Sequence, residues 1–247
     1  MLTKFKNLHE GETGLIIGNG PSLIDCPREL LDKYISFGAN KIYTMYDWER
    51  FTGGNPRVPV DTQEKLKVFD GFTPNYLTVI DEHMIHNIAA DLSQLVIDGY
   101  KPDALFIRRP YPVPGSYQIN CIVHAGWSNN INKAVIMGGT VTYANLQIAH
   151  YMGIRTVLLV GVDHNYPTFE GVPQGVIFQQ EGGVDEAHFH PDYFKEGDFY
   201  AAPALTGSME YYKMAKLVFE NDGGRVINLT PNTHETAFEK GTYDEWA

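Results

Sequence analysis

The segment EAHFHPDYF, residues 186–194, concentrates the chain's reactive side chains. His188 and His190 stand two apart, so an extended segment puts both on one face and a helix would separate them. Imidazole accepts a proton near neutral pH, which suits removal of a proton from a hydroxyl or a water. Asp185, Glu186 and Asp192 beside them admit a metal reading, although the segment matches neither a helical His-x-x-x-His site nor a zinc pattern. The plainer reading makes each histidine a polar loop residue or the partner of a carboxylate. Tyr193 and Phe194 read as packing anchors. His83 and His86, with Asp81 and Glu82, pose the same choice between metal ligation and a surface helix.

A second concentration is LIIGNGPSLID, residues 15–25. It is not a Walker A loop, because the Lys-Ser/Thr pair is missing, and it is not Gly-x-Gly-x-x-Gly. Gly18 and Gly20 would let the backbone approach a ligand, while Pro21 and Ser22 would open a helix whose free N–H groups meet a phosphate. A purely structural turn uses the same residues. Thr140 and Thr142, after Gly138 and Gly139, are either a helix cap or a ligand contact. Asp163, after the apolar run TVLLVG, should stand at the carboxyl end of a parallel strand, where ligands bind in open α/β sheets. Asn19 and the turn from Gly18 to Ser22 would share that edge. Arg108 and Arg109 are anion candidates in an acidic chain, or partners of surface carboxylates. Trp48, Trp127, Tyr111 and Tyr117 are pocket walls for a sugar or base, or core anchors.

These residues need a frame, and the sequence supplies one. Gly14–Gly18 reads as a short buried strand, and a helix follows between Ser22 and Gly38 from the spacing of Leu23, Leu30, Leu31 and Tyr34. A second strand is expected over Lys41–Met45 and a third over Tyr76–Glu82. A helix ending near Gly99 and a fourth strand over Ala104–Ile107 come next. Residues 109–127 are proline-rich at their start and suit an irregular excursion, a lid or a subunit contact; the latter would make the protein a homo-oligomer. A helix from Thr140 or Thr142 to Gly153 leads to the strand 156–163, and a helix from about Ser208 with a stop at Gly223 leads to the strand Arg225–Leu229. The alternation predicts a three-layer α/β/α, Rossmann-like, mostly parallel sheet. Residues 1–247 are expected to form one nucleotide-binding domain, with a loop region over 164–207.

Composition narrows the function classes. The formal net charge of −11 leaves no Lys/Arg excess for a nucleic-acid backbone. It does not exclude a small anion, which backbone N–H groups can bind. No apolar run approaches the roughly 20 residues of a membrane span. The polar start lacks a signal-peptide pattern, and Cys26 and Cys121 suggest a reducing compartment, so a cytoplasmic location is expected.

IIGNGPSL, GGTVTYANLQIAHYMG, LLVGVDHNY, HFHPDYF and VINLTPNT, in that order, resemble the hydroxymethylpterin diphosphokinase-like family, which includes relatives of the bacterial motility accessory factors. That family is similar in turn to bacterial sialyltransferases that use CMP-sialic acid, whose chains also begin with a GNGPSL turn. The resemblance implies the sialyltransferase variant of the GT-A fold, with a nucleotide sugar, CMP-linked, at Gly18, Asn19, Gly20, Pro21 and Ser22. It implies further contacts from Gly139, Thr140, Thr142 and Asp163. His188, with His190 in reserve, would be the general base on an acceptor hydroxyl, and no metal would be required. Tyr166 or Arg109 would offset charge on the leaving phosphate. The pterin kinase branch would instead imply ATP and Mg²⁺, with Asp163 and Asp185 near the phosphates. A nucleotide-binding protein without turnover is the remaining alternative.

Overall fold

The computed structural model describes residues 2–52, 57–79, 88, 91–92, 94–95, 98–107, 115–122, 125–166, 172–173, 176–182 and 185–247. Its strands are β1 (Thr13–Ile17), β2 (Ile35–Ala39), β3 (Tyr76–Val79), β4 (Asp103–Ile107), β5 (Tyr117–Ile119), β6 (Cys121–Ile122), β7 (Val135–Ile136), β8 (Thr156–Val160), β9 (Ile177–Gln179), β10 (Phe199–Ala201), β11 (Arg225–Asn228) and β12 (Glu239–Lys240). Eight of them form one sheet in the order β12-β11-β8-β1-β2-β3-β4-β5, and every neighbouring pair is parallel.

Side chains alternate between two apolar clusters, as a strand covered on both faces requires. Leu15, Ile17, Leu158 and Val160 enter one cluster, and Ile16, Val157 and Leu159 the other. All seven are fully buried, each contributing about 1.5–3 kcal/mol of burial free energy. The helix Val141–Tyr151 starts where the Thr140 hydroxyl accepts from the Thr142 N–H at 3.3 Å, so Thr140 is the cap and Thr142 lies inside the first turn. Every residue from Thr142 to Tyr151 is buried. This helix packs on β1, β2 and β3 and against the helix Leu205–Asn221.

From β1 the chain runs outward through β2, β3 and β4 to β5, then returns to place β8 on the other side of β1. Strand order therefore reverses between β1 and β8, which opens a crevice at their carboxyl ends.

Three local expectations are corrected. Lys41–Met45 is not a strand: Asn40–Met45 is a 3-10 helix, and the second strand is Ile35–Ala39. The stretch from Ser22 to Gly38 is not one helix but a 3-10 turn over Pro21–Asp25, a short helix over Arg28–Lys33 and β2. Pro27 supplies the break, since its ring disfavours a helical residue before it. Within the excursion 109–127, β5 extends the sheet beside β4 and β6 pairs with β7. The helix expected before Gly99 lies largely outside the described residues. None of the described helices is long and apolar enough to cross a membrane.

Candidate functional site

The crevice holds a cavity of about 160 Å³ lined by the ends of three strands, the starts of the helices Val141–Tyr151 and Leu205–Asn221, and one loop. Gly18, Asn19 and Gly20 follow β1, Asn40 follows β2, and Gly161 to His164 follow β8. The glycines of the first turn let two strand ends meet. A Cβ on Gly18 would stand 2.8 Å from the Gly161 carbonyl carbon, and one on Gly161 only 2.6 Å from the Gly18 oxygen. A Cβ on Gly20 would press on the Asp163 carboxylate, 2.7 Å from its carbon. The Gly20 N–H donates to Gly161 O at 2.9 Å, closing the two turns on each other.

Asp163 pins the turn from the other side. Its Oδ2 accepts from the Ser22 hydroxyl at 2.8 Å and its Oδ1 from the Ser22 N–H at 3.3 Å. Burial raises the Asp163 carboxyl above its ordinary value, and the Ser22 hydrogen bonds only partly offset this. Ser22 and Pro21 thus act behind the cavity rather than on its lining. Asn19 Nδ2–H donates to Ala39 O at 3.1 Å, and among the described residues its buried Oδ1 has no partner. That oxygen is an acceptor in need of a donor.

The helix start lies across the same opening. Gly138 and Gly139 both have positive φ, at 58° and 76°, and deliver the chain to Thr140. At the positive end of the dipole of the 11-residue helix Val141–Tyr151, the Thr142 N–H is taken by the Thr140 hydroxyl and the Tyr143 N–H by Thr140 O at 3.2 Å, which leaves the Val141 N–H for a ligand. Gly139, Thr140, Val141 and Thr142 all line the cavity. Tyr212 lines it too, its hydroxyl donating to Thr140 Oγ1 at 3.5 Å. Tyr166 is a further wall, and burial holds its phenol well above the ordinary value, so it remains a donor.

His188 enters from the loop. Its Nδ1 is 2.9 Å from Asp185 Oδ2, and its ring stacks on Tyr193 with centroids 3.9 Å apart and planes 2° from parallel. Asp185 is buried and also accepts from the Ala187 N–H at 2.8 Å and the Phe194 N–H at 3.3 Å. Two fasteners tie this loop to the sheet. The Phe189 N–H donates to Asn19 O at 2.9 Å, and the buried Lys41 ammonium donates to Tyr193 O and reaches Asp198 Oδ2 at 3.5 Å. Burial pulls the Lys41 ammonium below its ordinary value, opposed by Asp198.

Of the residues singled out in the sequence, the fold brings Gly18, Asn19, Gly20, Gly139, Thr140, Thr142, Asp163, Tyr166 and His188 to one cavity. His190 is fully buried and off the lining; its Nδ1 accepts from the Asp192 N–H at 3.2 Å, and burial drives its imidazole down to about 3. Arg109, with Arg108, Tyr111, Asp81, Glu82, His83 and His86, lies outside the described residues. Trp127 is a core anchor, edge-on to Tyr143, His150 and Phe219, and Trp48 and Tyr117 pack on the two cores. Asn40, Ser208 and Tyr212 line the cavity without having been singled out. Asn40 has a left-handed φ of 47° just past β2, so an asparagine after a strand was its only signal. Among the described residues, no three His, Cys, Asp or Glu side chains group as metal ligands.

No protein-family profile and no curated protein matches the chain. Among solved structures, the sialyltransferase CstII from Campylobacter jejuni, in complex with a substrate analogue, cytidine-5'-monophosphate, is similar over 94% of this chain and 85% of its own, at 12% identity and a TM-score of 0.50. The MAf glycosyltransferase from Magnetospirillum magneticum AMB-1 is similar over 98% of this chain at 13% identity and a TM-score of 0.51. This chain spans 37% of that larger protein. At such identities the likeness establishes the α/β fold.

Proposed function

We propose that the protein is a glycosyltransferase that binds a nucleotide-linked sugar, CMP-linked in the leading reading, and transfers the sugar to a hydroxyl acceptor. The observation that carries this reading is His188 on the wall of a switch-point cavity with its Nδ1 turned to a buried carboxylate. Its Nε2 would take the acceptor proton as the acceptor oxygen bonds to the sugar carbon and the bond to the phosphate oxygen breaks, its electron pair leaving with the nucleotide. The positive end of the helix Val141–Tyr151, with its Val141 N–H, would meet the departing phosphate, and the Tyr166 phenol would be a further donor. Asp163, an anion tied to Ser22, suits ribose hydroxyls better than phosphate.

The positive end of the helix Val141–Tyr151 and the Tyr166 phenol are the described groups that would face the leaving phosphate. An ATP- and Mg²⁺-dependent diphosphotransferase would draw on Asp163 and Asp185 as oxygen ligands. Asp163 lines the cavity, but Asp185 is off the lining and held by His188 and two backbone N–H groups, so the described residues offer no pair of carboxylates converging on a phosphate-bound Mg²⁺. The solved structures of similar fold are named as a sialyltransferase and a glycosyltransferase, which agrees with the reading.

Calorimetry against CMP, UDP, GDP and ATP, with and without EDTA, tests it. Binding of a donor nucleotide indifferent to EDTA is expected, and a clear preference for ATP with Mg²⁺ would sink the proposal. His188→Ala should keep nucleotide affinity within about twofold and lose donor turnover by about 10²-fold or more. Equal donor turnover in both proteins would refute His188 as the base, and binding without turnover in either would leave a nucleotide-binding module.

A further inference from the structure

We infer that Asp185 is the positioning residue of the site: it fixes the His188 tautomer so that Nε2, and not Nδ1, is the free base that faces the acceptor. The inference rests on the transferase reading and deepens it. A carboxylate can only accept, so the 2.9 Å contact to His188 requires the proton on Nδ1 and leaves the lone pair on Nε2. Asp185 is itself fixed before any ligand arrives. Its Oδ1 accepts from the Ala187 N–H, its Oδ2 accepts from the Phe194 N–H as well as from His188, and its own N–H donates to Pro191 O at 2.8 Å. The parallel stack on Tyr193 removes ring tilt as a variable, and the Lys41 bond to the Tyr193 carbonyl fixes the wall behind it. Imidazole orientation and proton location are therefore both set by the loop fold, which spares the reaction that reorganisation.

Asp185→Asn is the discriminating change. An amide offers one acceptor oxygen for two opposed sets of donors, so with its oxygen on the Ala187 N–H its NH₂ faces His188 and selects the Nε2–H tautomer. The expected kinetic result is a fall in kcat of about 10²–10⁴-fold. KM for the donor and nucleotide affinity should stay within about twofold. Nitrogen NMR of histidine-labelled protein should place the His188 proton on Nδ1 in the wild type and on Nε2 in D185N, a readout that loop loosening alone would not move. Asp185→Glu, which keeps the carboxylate, should retain the Nδ1–H signal and recover part of kcat. An Nε2–H signal in the wild type would overturn the inference. So would a D185N kcat within about threefold of wild type while His188→Ala is inactive. The wild-type spectrum needs no variant to fold and no donor, so failure to find a nucleotide-sugar substrate would count against the transferase reading while the tautomer still decides the role of Asp185.

Discussion

Gly18→Ala tests whether the first turn is glycine-rich for a ligand or for its neighbouring strand. The new Cβ would lie 2.8 Å from the Gly161 carbonyl carbon and 3.0 Å from Val162 Cγ2. Carbon atoms settle at about 3.5–4.0 Å, so the shortfall against the backbone atom is about 1 Å. The Val162 side chain can turn away, but the Gly161 carbonyl stands one residue past the parallel ladder from Thr13–Thr156 to Ile17–Val160 and is fixed there by the Gly20 N–H at 2.9 Å. Overpacking of this kind costs about 1–3 kcal/mol. For a chain of this size that is a drop in Tm of about 2–12 °C. Gly207→Ala is the control: it sits in the helix Leu205–Asn221 with nothing within 4 Å of its Cβ, and should gain up to about 1 kcal/mol. Calorimetric melting of the three proteins, with nucleotide titration at a temperature where all are folded, separates the ideas. A Gly18→Ala protein as stable as wild type but unable to bind nucleotide would refute the strand-contact account, and one unchanged in both would refute both accounts.

Two pH predictions follow from the buried groups. Asp163, with its folded value raised, binds a proton in the folded chain that the unfolded chain has released, so its contribution to stability falls as pH climbs from 3.8 through the folded value. Asp163→Asn should therefore gain on wild type between pH 4 and pH 7 in urea unfolding; a constant difference would show that the carboxyl is unshifted. His190 has the opposite sign: held at about 3 against an ordinary 6.5, it contributes stability that is lost as pH falls through that window. His190→Asn, which keeps an acceptor for the Asp192 N–H, should flatten the acid limb by a few kcal/mol at most, and an identical limb would count against a buried neutral imidazole. His150 is also lowered by burial and persists in both proteins, so the difference between them isolates His190.

The frame was legible where sequence pattern and burial agree. TVLLV is apolar at every position after its threonine and became β8, and the threonine after two glycines capped its helix as its chemistry dictates. β2 was missed because ISFGA carries a serine and a glycine that only distant residues explain. Ser36 N–H and hydroxyl both donate to Asn75 Oδ1, and a Cβ on Gly38 would stand 2.6 Å from Ile42 Cγ2 in the following turn. The apolar run after it, Ile42 to Met45, is buried on all sides, so its periodicity could not separate strand from helix. In the site, reactive residue types were visible and their pairings were not. Asp185 and His188 stand only three apart in the sequence, yet only the loop fold turned a metal or phosphate candidate into the partner of an imidazole. The Ser22–Asp163 bond spans 141 residues and left no local trace.

Among the described residues, the loop bearing His188 is fastened to the segments that follow β1 and β2 by the Asn19 carbonyl and the Lys41 ammonium. Beyond those fasteners, β9 and β10 form a two-stranded ribbon outside the main sheet, with Ile177 and Phe199 exposed on it. This divides the loop into a part whose redesign would displace the proton acceptor and a part that can be diversified freely. A library confined to the outward positions of the ribbon would vary what approaches the site while leaving the chemistry mounted as it is. Grafting the loop onto another scaffold would fail unless the recipient offered a strand-end carbonyl and a buried lysine at the same two places.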